Sequence, residues 1–468
     1  MSAALERLAA ACVLPGFPGL EPPDWVRRRV ADGLGGVCLF AWNVRDQRQL
    51  GALTEALRGE RPELLVAIDE EGGDVTRLEA AHGSSYPGNL ALGAVDDTDL
   101  TEAVAAAIAA ELAGAGVNLN LAPVADANTN ARNPVIGVRA FGSDPALVAR
   151  HVAAFVRGTQ SCGVAACAKH FPGHGDTSAD SHHELPTVEG ELDLAPFRAA
   201  IEAGVCAVMP GHLRVPALDD APATVSRTIV TGLLRGELGF GGLVISDALE
   251  MHAVSATLGL EETAVRAIAA GIDLLCLGHD LADEETGAVQ RALAAAVRAG
   301  RLPEDRLAEA AARVEAVGRW TASTPCNSLL RGEDVGLAAA RRAVRAEGVV
   351  ALASAPLVVE LVPEANLAAG VHAHGLADAL PGAAAVRLHA WPAELPDDPR
   401  PLVVVLRDAA RHPWQQAAAE ALVARRPDAV VVETGLPGRP PRGAAGYVAT
   451  FGAGAVNLRA AAELLRPS

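Results

Sequence analysis

Short, almost wholly apolar runs recur along the first part of the chain: Ala10–Leu14, Gly36–Phe40, Leu64–Asp69, Val117–Pro123, Val164–His170, Cys206–Pro210, Leu243–Asp247 and Ile272–Gly278. None alternates apolar with polar residues, so each predicts a strand buried on both faces. The stretches between them carry helical spacing. Asp97–Gly114 and Asp144–Cys162 are long, Ser226–Leu238 is shorter, and Glu284–Gly300 and Pro303–Trp320 close the series. Eight strand-then-helix units predict an α/β fold of the TIM-type (β/α)8 barrel class; a doubly wound open parallel sheet is the alternative.

Thr321 to Ser328, with Pro325, reads as a linker. A helix carrying Arg341, Arg342 and Arg345 follows. Apolar runs then appear at Val349–Ala353, Leu357–Pro363, Val386–Ala390, Leu402–Asp408, Ala429–Glu433 and Tyr447–Phe451, alternating with helical stretches such as Trp414–Arg426. The expected division is a barrel domain over 1–323, a linker over 324–332, and a smaller α/β sandwich-like domain over 333–468.

Polar residues break the first pattern in register. Asp69-Glu70-Glu71-Gly72-Gly73, Asp126 to Asn133, Lys169-His170, His212 and Asp247 all stand at or just after the ends of apolar runs. In a barrel these are the carboxyl ends of the strands, where catalytic groups are mounted. The densest stretch runs from Lys169 to Pro186 and packs four histidines and three acids among glycines and prolines. It reads as the active-site loop.

Composition narrows the classes. The 468 residues are 50% hydrophobic and 21% charged, which fits a globular core. With 57 acids against 39 Lys and Arg the net charge is −18, which argues against nucleic acid and anionic membranes as partners. No signal-peptide pattern opens the chain, and no apolar run is long enough to span a bilayer. Cys12, Cys38, Cys167, Cys206 and Cys276 sit in or beside apolar runs without Cys-x-x-Cys spacing and read as reduced core residues of a cytoplasmic protein.

Asp180 and His182 are two residues apart, so in an extended loop they project to one side. The carboxylate can then hold one imidazole nitrogen and aim the other, which makes an acid/base group near neutral pH; an ordinary loop-stabilising bond is the plainer reading. Asp247 directly ends a core strand. It is either a helix cap or a carboxylate nucleophile on a rigid mount. Asp69, Arg77, Arg139, Lys169 and His170 have the donors and acceptors that grip vicinal hydroxyls, or they are salt-bridge partners. A metal held by His174, Asp176, His182 and His183 lacks the usual ligand spacing.

Lys169-His170-Phe171-Pro172-Gly173-His174-Gly175 with Asp180-Ser181-His182 resembles the signature of bacterial β-N-acetylglucosaminidases of glycoside hydrolase family 3. Supporting blocks stand in the expected order over roughly residues 10 to 320. They include Ile68-Asp69-Glu70-Glu71-Gly72-Gly73, Arg139-Ala140-Phe141-Gly142-Ser143-Asp144-Pro145 and Val244-Ile245-Ser246-Asp247. Glu70 stands where Gln is common, and Asp74 where a basic residue often follows the glycines.

The resemblance implies a TIM-type barrel and a retaining double displacement. Asp247 would be the nucleophile and His182 the general acid/base oriented by Asp180, with Asp69, Arg77, Arg139, Lys169 and His170 binding the N-acetylglucosamine unit. Most retaining glycosidases use two carboxylates, so an Asp–His pair departs from the general scheme. The expected activity is removal of terminal N-acetylglucosamine from small cell-wall (muropeptide) or chitin-type oligosaccharides, by a monomer or homodimer, with no cofactor and no metal. Phosphorolysis of the same sugars is the alternative. A catalytically dead sugar-binding protein and a metal-dependent hydrolase stand further off.

Overall fold

The computed structural model describes residues 3–179, 185–190, 192–251, 258–279, 282–326, 333–364, 374–393, 397–466. All eight apolar runs contain or adjoin strands: β1 Val13–Pro15, β2 Gly36–Leu39, β3 Leu65–Ile68, β4 Leu119–Asn120, β5 Ala165–Phe171, β6 Ala207–Pro210, β9 Leu243–Val244 and β10 Leu275–Gly278. A short antiparallel hairpin, β7 Arg214–Val215 with β8 Asp219–Pro222, interrupts the series after β6.

The strands β2-β3-β4-β5-β6-β9 form one parallel ladder and β1-β10 another. A parallel bridge from Ile245 to Leu274 carries the order on from β9 toward β10. On the other side β1 lies against β2 so closely that a Cβ on Gly36 would stand 2.6 Å from Leu14 Cδ1. The result is a curled parallel sheet consistent with a TIM-type domain.

Burial explains the missing alternation in the sequence. Leu14, Cys38, Leu65, Ala67, Leu119, Ala165, Cys167, Ala207, Leu243 and Cys276 pack together inside the curl. Their chain neighbours Val13, Val37, Leu39, Val66, Ile68, Ala166, Val208, Val244 and Leu275 face the helices. Both faces are dry, so every position is apolar, and the interior uses small residues because the strands converge there. The helices form where their spacing predicts. Thr98–Gly114 is capped by the Asp97 carboxylate, which accepts from the Asp99 and Leu100 amides; Pro145–Gln160 is capped by Asp144. Thr228–Glu237 winds as a π-helix.

A second sheet follows: β11 Arg345–Gly348, β12 Leu357–Leu361, β13 Ala384–Leu388, β14 Leu402–Leu406, β15 Val430–Glu433 and β16 Gly446–Ala449, in the order β11-β16-β15-β14-β12-β13. It is parallel except for β11. The helix Pro413–Arg425 covers one face through Ala418, Ala419, Leu422 and Val423, and Ala455–Leu465 covers the other through Leu458, Ala461, Ala462 and Leu465.

One expectation here is corrected. No strand forms over Val349–Ala353; the edge strand is Arg345–Gly348, and Arg345, expected in the helix, opens it. Its residues are all exposed, so hydrophobic patterning has nothing to detect, and charge at a sheet edge discourages pairing with another chain.

The five cysteines expected to be reduced are free, and all but the partly open Cys206 are buried. The other two, Cys162 and Cys326, are joined as a disulfide across 164 residues of sequence. No described helix is long and apolar enough to cross a membrane.

Candidate active site

Asp69 leaves β3, Lys169 and His170 lie in β5, and Asp247 is the third residue after β9, so the polar strand ends meet at one rim of the curled sheet. The interior Cys167 thiol is pushed up by burial, with the charges of both Asp69 and Asp247 adding to the effect, which places the two carboxylates over the same interior.

Four of the five expected sugar-binding residues form one network. Lys169 Nζ lies 2.6 Å from Asp69 Oδ1 and 2.8 Å from Glu71 Oε1. Arg139 grips Glu71 with two parallel bonds, Nη2 to Oε1 at 2.8 Å and Nε to Oε2 at 3.0 Å. Arg77 Nη2 stands 4.0 Å from Asp69 Oδ2. Lys169, Glu71 and Arg139 are buried, whereas Asp69 and Arg77 keep part of their polar surface open. Burial alone would raise the Glu71 carboxyl, but the Arg139 guanidinium and the Lys169 ammonium hold it well below the usual carboxylate range. Lys169 is likewise held charged: burial opposes the ammonium, and Asp69 and Glu71 outweigh it. The network is therefore a fixed set of charges, aimed before any ligand arrives.

His170, the fifth, is held separately. Its Nδ1 lies 2.8 Å from Asp126 Oδ2, and Asp126 Oδ1 also accepts from the His174 amide at 2.7 Å. A carboxylate on Nδ1 fixes that nitrogen as a protonated one and orients the ring. His174 has a different part. Burial, with the His170 imidazole close by, pushes its imidazole down to about 4, and its Nδ1 lies 2.6 Å from Thr177 Oγ1. It packs the loop and stays neutral.

Asp247 is half-buried, and its Oδ1 accepts from the Ala248 amide at 2.8 Å. The strand end beneath it is pinned, with the Ser246 amide on the Leu274 carbonyl and Ser246 Oγ accepting from Cys276. His212, at the end of β6, reaches the Ala248 carbonyl with Nε2 at 2.9 Å and Thr224 with Nδ1. That makes it a brace for the Asp247 turn. Asp180 and His182 lie outside the described residues, as does His183 of the considered metal set. Among the described residues no group of three or more His, Cys, Asp or Glu gathers to hold a metal.

Sequence reasoning missed Glu71 and Asp126 as site residues. Glu71 was visible only as the third of three consecutive acids. Its neighbour Glu70 is also buried, accepts from the Arg77 and Leu78 amides, and is pushed up to about 7 by burial. A carboxyl raised in the folded state contributes stability that is full below the unfolded value near 4.3 and lost as pH rises toward 7. Glu70→Gln, which cannot ionise, is therefore expected to match the parent near pH 4.5. By pH 8 it should exceed the parent by about 3 kcal/mol, at ~1.4 kcal/mol per unit. Melting curves across that range check this; parallel curves for the two proteins would refute it.

The residue after the paired glycines, Asp74, is buried. It lies 2.6 Å from Arg407 Nη2 and accepts from the Ala453 amide at 2.7 Å, both after strands of the second sheet. This accounts for an acid where a base was expected: the partner here is an arginine. Arg411 donates to the Pro134 carbonyl at 3.0 Å. The second sheet thus fastens both loops that carry the network. Between them lies a cavity of about 410 Å³, lined among others by Asp74, Arg139, Glu360, Arg387 and Arg407; neither Asp69 nor Asp247 lines it.

Residues 22–317 match the family model described as the glycosyl hydrolase family 3 N terminal domain. The chain is 34% identical over 389 residues to beta-hexosaminidase A of Pseudoalteromonas piscicida, covering 73% of this chain and 64% of that protein. It is 37% identical over 347 residues to a beta-hexosaminidase of Chromobacterium violaceum, covering 71% of this chain and 93% of the relative. Among solved structures, a family 3 beta-N-acetylglucosaminidase from Paenibacillus sp. str. FPU-7 superposes with a TM-score of 0.88 at 35% identity, covering 98% of this chain and 96% of the other. Strand-end carboxylates, a buried charge network and a family match over most of the curled sheet agree: this chain belongs to glycosyl hydrolase family 3.

Proposed function

We propose that the protein is a retaining exo-β-N-acetylglucosaminidase acting on cell-wall (muropeptide) or chitin-type oligosaccharides. The observation that carries this reading is the network of Asp69, Lys169, Glu71 and Arg139, a preset array of acceptors and donors beside the Asp247 rim. A terminal sugar with vicinal hydroxyls and an acetamido group suits such an array.

In this reading Asp247 attacks the anomeric carbon while the His182 imidazolium gives its proton to the departing glycosidic oxygen. The carbon–oxygen bond breaks and a glycosyl-Asp247 ester forms. Water then loses a proton to the neutral His182, attacks the same carbon and frees Asp247. Asp180 orients the imidazole. Residues 1–323 act as the catalytic unit and 333–468 as a second unit, joined through 324–332. The second unit shapes and fastens the barrel loops without supplying the acid/base, as the Arg407–Asp74 contact favours. The free buried cysteines support a reducing, cytoplasmic setting, against which the Cys162–Cys326 bond counts. Monomer and homodimer both accommodate this scheme.

Incubation with an aryl β-N-acetylglucosaminide, with and without phosphate, tests the reading. Free N-acetylglucosamine is expected in both cases, released first as the β-anomer. A sugar 1-phosphate formed only with phosphate would make the enzyme a phosphorylase, and release of the α-anomer would exclude a retaining mechanism.

A further inference from the structure

The order of strands around the curl leaves an arc of the rim between Asp69 and Asp247. Running from β3, which ends at Asp69, the arc passes β2, β1 and β10 before reaching β9 and Asp247. The residues that follow β2 and β10 on this arc are Phe40, Trp42 and His279, and none of them is used by the mechanism above.

Trp42 stands out physically. Its side chain is 45% exposed, and it is the one exposed aromatic among the described residues. A single exposed indole is ordinary on a protein surface; what marks this one is its place on the rim and how firmly it is fixed. It is also held still. Phe40 stacks on it with centroids 4.9 Å apart at 14°, His279 meets it edge-on at 4.9 Å, and the indole nitrogen donates to the Phe17 carbonyl at 3.2 Å. Beneath it the buried Asn43 donates to the Phe17 and Gly19 carbonyls. The cluster is continuous with the Asp247 turn. Glu250 Oε1 accepts from the His279 amide at 2.9 Å, and Phe40 and Ala248 pack on the same interior core.

We propose that Trp42, flanked by His279, is the platform for the leaving-group sugar, the pyranose next to the terminal N-acetylglucosamine; this rests on the reading given above. A β-linked pyranose with equatorial substituents presents flat faces of C–H groups, and these match the negative π-face of an indole. Its equatorial hydroxyls project sideways and suit the polar His279–Glu250 edge, whose two side chains approach to 3.8 Å. A rigid aromatic binds such a ring at little entropic cost.

The test is calorimetric titration of the β-1,4-linked N-acetylglucosamine trimer and of free N-acetylglucosamine, both into Asp247→Asn protein to prevent turnover. Trp42→Ala in that background should weaken trimer binding about tenfold and leave the monomer's affinity unchanged, with a small fall in melting temperature from the lost Phe40 stack and Phe17 hydrogen bond. Trp42→Phe should recover most of the loss. Unchanged trimer affinity in Trp42→Ala would overturn the proposal, as would an equal fall for monomer and trimer. If the parent enzyme cleaves the trimer and Trp42→Ala cleaves it equally well, the platform alone fails. If the parent neither binds nor cleaves any N-acetylglucosaminide, the functional reading fails first and the platform with it.

Discussion

Asp247→Ala is expected to abolish turnover, with kcat falling on the order of 10⁴-fold or more, as it does when a nucleophile is removed from an enzyme that works through a covalent intermediate. Four decades correspond to about 5.5 kcal/mol of transition-state stabilisation at ~1.4 kcal/mol each. The loss should be as severe on activated aryl glycosides as on natural sugars, because the covalent step itself disappears and no leaving group can compensate. Folding should suffer much less. The carboxylate is half-buried, and the backbone bond that its Oδ1 accepts from Ala248 is worth about 1 kcal/mol. His212 and Ser246 hold the turn from below and do not depend on Asp247. A slow 5-fluoro glycosyl substrate should add its mass to the peptide containing Asp247. A label on another carboxylate, or near-parental activity in Asp247→Ala, would move the nucleophile elsewhere.

The parts of this molecule that were legible in its sequence share one physical property. The strands of the curled sheet are buried on both faces, so each is a continuous apolar run, and a polar residue at its end is conspicuous. That is how Asp69, Lys169, His170 and Asp247 could be found by position alone. Arg345–Gly348 illustrates the opposite case. It is exposed at every residue and is a strand only because Gly446–Ala449 pairs with it. Partnerships across long separations were equally invisible. Nothing in Asp69-Glu70-Glu71 says which acid meets Lys169 and Arg139 and which has its carboxyl pushed up toward neutral pH by burial. Glu71 reaches the cations and Glu70 turns inward onto backbone amides, and that division depends on how the loop folds over β5. Cys162 and Cys326 come together because the helix Glu304–Ser323 returns its end to the start of β5, which the spacing of the cysteines does not encode. Asp74 read as a departure until its arginine appeared just after a strand of the second sheet.

His182→Ala should divide substrates by leaving group. A general acid matters in proportion to how much the departing oxygen needs a proton. Natural sugar alkoxides need one, so their hydrolysis should fall ~10²–10⁴-fold, which is roughly 3–5 kcal/mol. Acidic phenols leave unaided and should be slowed far less in the step that forms the glycosyl-enzyme. Asp180→Asn should follow the same order more mildly, because the imidazole survives but loses its orientation and some of its basicity. The chain on either side of these residues is well anchored. Asn133 holds the His174 carbonyl and Thr177, while the Val188 amide bonds the Arg214 carbonyl on the β7 hairpin. Alanine at 182 should therefore change chemistry more than fold. A Brønsted plot of kcat/KM against leaving-group pKa decides the matter. For His182→Ala it should be much steeper than for the parent, with the gap between the two proteins widening toward poor leaving groups. Parallel plots, together with a lower melting temperature in the variant, would make His182 a packing residue and send the search for the proton donor to another group on the rim.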